Sequence, residues 1–235
     1  MIRAVCYNKI MDFIDNHNLF IGISEKKDGP MKNSLENRFQ FFKNQGLEDK
    51  IIISAGLVHK NKVVIIDNIS KAEIISDCDA LITDQNQYLL TVTVADCLPI
   101  YFYDQNKKVI AIAHAGWRGV VSKIAGEVIN QFINYYHSDL RDIKVFIGPH
   151  LKDCHFEVKN DVASQFKLSD SVIKDEKIYI NLAAAVKNQL VESGVSGSNI
   201  SISQECTYCL TDKYFSFRRD NPKEIDAMIA YIGLK

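Results

Sequence analysis

Residues 88–119 read YLLTVTVADCLPIYFYDQNKKVIAIAHAGWRG, and this stretch decides the class of fold. Its first part, Tyr88 to Ala95, is apolar and β-branched, with Leu90, Val92 and Val94 on one face and Thr91 and Thr93 on the other, which predicts a strand. A second strand is predicted over Lys108–Ala113. A helix is predicted over Gly119–Tyr136, where Val121, Ile124, Val128 and Phe132 recur at helical spacing. Outward from there, the same criteria predict strands over Ile51–Ala55, Lys62–Ile66 and Ile143–Ile147, with two further candidates at Ile200–Ser203 and Tyr214–Phe217. Helices are predicted over Asn33–Gln45, capped by Asn33 with Glu36 three residues on, and over Asn181–Ser193, stopping at Gly194. Strands mixed with helices on this scale imply an α/β or α+β layered domain. Soft boundaries fall at Ser24–Asn33 and Ser193–Asn199, and no repeat, linker or low-complexity tract divides the chain, so one continuous domain over residues 1–235 is expected.

Composition narrows the function classes. The 235 residues carry 28 Lys plus Arg against 29 Asp plus Glu, a net charge of −1. There is no general basic excess to neutralise phosphates, which argues against a nucleic-acid binder. Hydrophobic residues make up 47% and charged residues 24%, an ordinary globular balance. The most apolar stretch, Tyr88 to Tyr103, carries Asp96 and stops too soon for a membrane span. The first residues, MIRAVCYNKIMDFIDN, place Asp12 and Asp15 where a secretion signal needs an apolar core, so a cytoplasmic location is expected. Six cysteines in that setting read as thiols or metal ligands rather than disulfides.

Three predicted strands lead to soft-ligand side chains. The strand from Ile51 leads to His59, the strand from Tyr88 to Asp96 and Cys97, and the strand from Lys108 to His114. Imidazole, thiolate and imidazole form a set that zinc favours, and three protein ligands leave a fourth position open, as in catalytic zinc sites. Taken singly, on spacing alone, each histidine reads as a hydrogen-bonded core or surface residue rather than a ligand, and Cys97 as a buried apolar thiol. Gly116 and Gly119 bracket Trp117-Arg118 ahead of a helix. This is a turn that needs glycine for its geometry, and one that lets backbone approach an anion. Arg38 lies on the apolar stripe of its helix beside Leu35 and Phe42. It either snorkels to the helix edge or serves as a phosphate or carboxylate clamp. Cys206 and Cys209, spaced as C-T-Y-C, have the spacing of half a zinc site or a redox motif, but with no second suitably spaced pair they read as reduced structural thiols; Cys154-His155, which could chelate a metal, reads as a packed loop, and Phe217-Arg218-Arg219-Asp220 as solvated charges or an anion-binding rim.

Taken in order, Thr93-Val94-Ala95-Asp96-Cys97-Leu98-Pro99, AHAGWRG, Ile147-Gly148-Pro149, Cys206-Thr207-Tyr208-Cys209 and Phe215-Ser216-Phe217-Arg218-Arg219-Asp220 resemble the polyphenol oxidase or laccase-domain family, whose members are also described as multifunctional purine nucleoside phosphorylases. The resemblance runs from about Ile21 to Leu234. It implies a four-layer α-β-β-α sandwich with mixed sheets, related to the fold of cytotoxic necrotizing factor. It implies a zinc ion held by His59, Cys97 and His114. Copper chemistry is discounted, because the chain lacks the His-x-His pairs of a multicopper site. The family's Asn-Arg pair matches Asn37-Arg38. The chain departs from the family pattern at Leu57, Lys60, His150 and Asn221–Asp226.

The activities implied are phosphorolysis of adenosine, inosine, guanosine and methylthioadenosine, and deamination of adenosine. Purine nucleoside and phosphate are the implied partners. Cys97, His114, Arg38 and Asp96 are the implied catalytic residues, Arg38 holding phosphate and Asp96 a candidate to protonate the leaving base. One alternative within the family is an editing hydrolase that removes misincorporated serine from a cell-wall precursor. Another is a metal-bound nucleoside-binding module without turnover. The sequence gives no oligomeric state.

Overall fold

The computed structural model describes residues 19–32 and 34–235. The reading of the first sixteen residues as free of a secretion signal, and of Asn33 as a helix cap, lies outside these. In chain order the elements are β1 (Leu19–Ile23), α1 (Leu35–Asn44), β2 (Ile51–Gly56), β3 (Val63–Ile65), β4 (Glu73–Ser76), β5 (Ala80–Thr83), β6 (Tyr88–Val94), β7 (Leu98–Asp104), β8 (Val109–Ala115), α2 (Trp117–Val121) and α3 (Ile124–Asn134). They continue with β9 (Ile143–Ile147), β10 (Glu157–Val158), α4 (Asn160–Ala163), β11 (Ser171–Lys174), β12 (Lys177–Ile180), α5 (Leu182–Glu192), β13 (Ile200–Ile202), α6 (Phe217–Asp220) and β14 (Met228–Leu234).

Two mixed sheets carry the molecule. One runs β1-β14-β6-β2-β4, the other β13-β9-β7-β8-β5-β3, and a small sheet β10-β12-β11 stands apart. Strand alternation sorts side chains between the layers. On β7, Tyr101 and Tyr103 join Ile110 and Ile112 of β8 and Val92 and Val94 of β6 in the core between the two large sheets. The alternate residues Leu98, Ile100, Phe102, Ala111 and Ala113 face outward, where Val128, Phe132, Val186 and Leu190 of α3 and α5 cover them. On the far side, Phe41 and Phe42 of α1 pack on Leu89, Ile229 and Tyr231. The order of layers is helix, sheet, sheet, helix, as the resemblance implies.

Two connections position the functional end. The link from β2 to β3 and the link from β6 to β7 each cross from one large sheet to the other. Strands β2 and β6 are parallel neighbours, so both crossovers leave from the same end of the first sheet. At that end of the second sheet, β7 pairs antiparallel with β8 so that Leu98 opposes Ala115 and Pro99 opposes His114. Residues 57–60, 95–97 and 114–116 therefore meet at one edge.

Several expectations need correction. The predicted helix over Gly119–Tyr136 is two, α2 and α3, broken at Lys123, whose φ of +58° is left-handed. Ser34 caps α1, its side chain accepting from the Asn37 amide. On α1, Arg38, Phe41 and Phe42 are buried, and Phe39 is 57% exposed. Tyr214–Phe217 forms no strand; Ser216 caps the short helix α6, accepting from the Arg219 amide. Strand β14, buried throughout, has no predicted counterpart. No helix among the described residues is long and apolar enough to cross a membrane.

Candidate functional site

The site is organised by a residue that the sequence reading passed over. Asp79 is fully buried immediately ahead of β5. Its carboxylate accepts the backbone N–H groups of Val58, His59 and Lys60 at 3.2, 2.9 and 2.9 Å. These bonds hold the loop after β2 in a tight turn where His59 has φ +59°, a conformation a non-glycine residue keeps only when its surroundings enforce it. The same carboxylate accepts from His114 Nδ1 at 3.0 Å. An ionised carboxylate only accepts, so Nδ1 carries a proton, and Nε2 is the nitrogen turned away from Asp79. The one sequence signal was an acid placed directly before the apolar run Ala80-Leu81-Ile82.

His59, Cys97 and His114 converge, with one ligand atom from each lying within 4.8 Å of the others. The two imidazoles meet edge to face, with centroids 4.9 Å apart. Burial pushes the Cys97 thiol up, but the facing His114 and His59 rings more than reverse that and bring it down to about 6. Burial favours a neutral His114 ring, yet the Cys97 sulfur and the Asp79 carboxylate raise it to about 9. Asp79 lies below the usual carboxylate range: burial opposes its charge, and the His114 hydrogen bond and the Lys60 amide outweigh it. Gly116 closes the cradle. A Cβ there would come within 3.1 Å of Cys97 Sγ and 3.4 Å of the His59 ring. Two imidazoles, a thiol held toward its thiolate form, a buried carboxylate behind one ring and a glycine that keeps the space open fit a divalent metal ion with borderline-soft preferences.

Asp96 sits beside Cys97 at φ +83° and is buried. Its carboxylate accepts from Thr207 Oγ1 at 2.6 Å, Ser216 Oγ at 3.0 Å and the Arg218 amide at 2.6 Å, while its carbonyl accepts from the Leu151 amide at 2.9 Å. It thereby ties three later segments to the β6–β7 crossover. Arg38 is buried as its helical position implies, but it turns toward neutral groups. Its guanidinium donates to Met31 O, to Lys32 O at 2.9 Å and to Ser54 Oγ at 3.3 Å, and Ser54 in turn meets Thr91 Oγ1 at 2.7 Å. Thr91 of β6 is thus buried beneath Arg38 and Ser54.

The His59–Cys97 edge opens into a cavity of about 270 Å³ whose wall includes Asp96, Trp117, Arg118, Phe156, Phe217 and Arg218. Arg38 is not among its lining residues. A neighbouring cavity of about 550 Å³ shares Trp117, Phe156 and Arg218 with it. The Arg118 guanidinium lies over the Trp117 ring at 4.2 Å, and Arg218 over Phe156 at 5.4 Å. The Phe217–Asp220 segment is therefore a rim of the cleft at Arg218. Arg219 instead points back into the protein, donating to Thr207 O and Tyr208 O at 2.8 and 3.0 Å and to Tyr214 O at 2.8 Å.

A second group of donors, Cys154, His155, Cys206 and Cys209, also lies within 4.8 Å of one another. The sequence reading of separate structural thiols and a packed loop missed this. The two segments are far apart in the chain and meet only because β9 and β13 are parallel neighbours.

Comparison with known proteins agrees with this architecture. The profile of a family described as multi-copper polyphenol oxidoreductase laccase matches residues 20–235. A purine nucleoside phosphorylase of Clostridium acetobutylicum is 36% identical over 160 residues, 66% of each chain. Adenosine deaminase RL5, from an unknown prokaryotic organism, is 32% identical over 201 residues, covering 79% of this chain and 76% of that one. The matched part thus spans about two thirds to three quarters of the length of these curated relatives. Among solved structures, YlmD from Geobacillus stearothermophilus superposes with a TM-score of 0.82 at 25% identity over 92% of both chains. The hypothetical protein YfiH of Bacillus licheniformis gives 0.84 at 25% identity over 92% of this chain and 93% of that one. With the profile matched over nearly its whole length and the layered fold shared, the chain belongs to the laccase-like polyphenol oxidoreductase family.

Proposed function

We propose that the protein is a zinc-dependent purine nucleoside phosphorylase that also deaminates adenosine. The observation that carries this reading is the opening of the His59–Cys97–His114 cluster into a cleft walled by aromatic rings and rimmed by two arginines. The phosphorylase of Clostridium acetobutylicum and the deaminase RL5, to which the chain is similar, point the same way. When bound, zinc supplies Lewis acidity and brings the pKa of a water molecule toward neutrality.

The chain's own residues have separable roles in this reading. Trp117, Phe156 and Phe217 offer flat apolar faces for a purine ring. Arg218 and Arg118 offer guanidinium groups to phosphate at the mouth, where the two cavities adjoin. In phosphorolysis the bond between the base and C1′ of the sugar breaks and a phosphate oxygen bonds to C1′. Charge develops on the sugar beside a held anion, so positioning and electrostatics supply most of the rate. Asp96 keeps the wall segments in register through its contacts with Thr207, Ser216 and Arg218, and Arg38 braces α1 against the sheet.

The test is chromatography of purified protein with adenosine or inosine, with and without phosphate. Release of free base and ribose 1-phosphate only when phosphate is present supports phosphorolysis. Inosine from adenosine without phosphate supports deamination. Turnover of a serine-bearing cell-wall precursor with none of the nucleosides would replace this reading with amide hydrolysis.

A further inference from the structure

The second donor cluster has the geometry of a closed metal site. Cys154 Sγ lies 3.5 Å from Cys206 Sγ and 3.8 Å from Cys209 Sγ. His155 Nδ1 lies 3.2 Å from Cys154 Sγ and 3.4 Å from Cys209 Sγ. In a tetrahedral zinc site with bonds of about 2.3 Å to sulfur and about 2.0 Å to nitrogen, ligand atoms stand about 3.8 Å apart for two sulfurs and about 3.5 Å for sulfur and nitrogen. Four edges of the cluster therefore lie within about 0.3 Å of those of such a tetrahedron. A disulfide brings two sulfurs to about 2.0 Å and leaves the third thiol and the imidazole without a role. The donor pattern agrees: Cys206 and Cys209 have the C-x₂-C spacing of zinc knuckles, and the adjacent Cys154-His155 completes the set.

The surroundings hold the donors in place. The His155 ring stacks on Tyr208 at 3.9 Å and 15°. Its carbonyl accepts from Arg218 Nη1 at 3.3 Å. Cys206 sits in a backbone bridge with His150, and the Thr207 amide donates to His150 O at 3.1 Å. Cys154 and Cys209 are exposed, so an ion can reach the group from solvent.

We propose that Cys154, His155, Cys206 and Cys209 form a second, structural zinc site that ties the loop after β9 to the loop after β13. Binding replaces three thiol protons with one Zn²⁺, and the four protein ligands leave no position for a reactant. The consequence for the first site runs through Thr207. It follows Cys206 and donates the 2.6 Å bond to Asp96, so the structural ion fixes one of the segments that Asp96 gathers beside Cys97.

The test is zinc content of the purified full chain, by elemental analysis, in wild type, in Cys209→Ser and in the double variant His59→Ala/Cys97→Ala. Two zinc ions per chain are expected in wild type and one in each variant. The double variant leaves the second cluster untouched, so it tests the proposal even if Cys209→Ser misfolds. Loaded with Co²⁺, the double variant should show thiolate-to-cobalt charge transfer and the intense visible bands of a tetrahedral site. Absence of both zinc and the cobalt spectrum in the double variant would overturn the proposal, as would a non-reduced mass two hydrogens lighter with Cys154 in a disulfide. One zinc in wild type, lost in Cys209→Ser and kept in the double variant, would uphold this site while removing the first.

Discussion

Asp79 and His114 share a hydrogen bond of 3.0 Å between two side chains with almost no exposure to water. The same carboxylate oxygen takes the His59 amide at 2.9 Å, so one acid orients both imidazoles of the cluster. Asp79→Asn keeps the shape but removes the charge and turns one acceptor into a donor facing backbone N–H groups. Zinc affinity at the first site is expected to fall about 10- to 100-fold, read by competition with a chromophoric chelator. Unchanged affinity would remove Asp79 from the metal centre.

Gly116 has an ordinary extended backbone, φ −73° and ψ 173°, so alanine there meets no conformational penalty. Its methyl would press on Cys97 Sγ and the His59 ring. Gly116→Ala should therefore weaken zinc binding at the first site while leaving the melting temperature of the metal-free protein within a few degrees of wild type. Full zinc affinity in the variant would show that the space between these residues is not the ion's.

The two arginines singled out here should fail in different ways. Arg218→Ala is expected to raise KM for phosphate by about tenfold or more, the size of one charge-assisted contact, with a smaller change in kcat. Arg38→Ala should leave that KM alone and lower stability by about 2–3 kcal/mol, since Ser54 and two carbonyls lose a buried donor. Denaturant titration beside steady-state kinetics separates them, and a raised phosphate KM in Arg38→Ala would return that residue to the site.

His150 gives a pH signature distinct from the metal centre. Burial holds its ring neutral and lowers it from 6.5 to about 4. Its Nδ1–H donates to Gly148 O at 2.8 Å. The folded state resists protonation more than the unfolded state does. The stabilisation is complete above pH 6.5 and is lost as pH falls toward 4, by about 3 kcal/mol in all. His150→Asn can keep the donor without the titration. Its unfolding free energy should lose less than wild type over that interval in urea melts at stepped pH. Parallel pH slopes for the two proteins would contradict the assignment.

What could be read from the chain depended on how local the cause was. Ile51–Gly56, Tyr88–Val94 and Ile143–Ile147 announce themselves because their β-branched runs are bounded by polar residues or glycine. The inward position of Arg38 follows from helical spacing alone. Its partners do not, because Met31 O lies in the loop before α1 and Ser54 on β2. The strand over Leu98–Asp104 merged with its neighbour into one apolar tract, since the sheet crossover at Asp96 leaves only a left-handed residue as a mark. His59, Cys97 and His114 were visible as a soft-ligand set, whereas Asp79 was not, because a single acid before a strand resembles any turn. Cys154-His155 and Cys206–Cys209 were each weak alone, and only the parallel pairing of β9 with β13 makes them four donors in one place.

Strand β14 lies between β1 and β6, with Leu19 opposite Leu234 and Met228 opposite Val94. Until β14 is made, β1 lacks its partner among the described residues, and β6 keeps an open edge. Contacts this distant in sequence slow folding and leave open edges in the nascent polypeptide. Assembly of this sheet therefore waits until Met228–Leu234 has been made, and truncation before Met228 would separate β1 from the sheet and turn β6 into an edge.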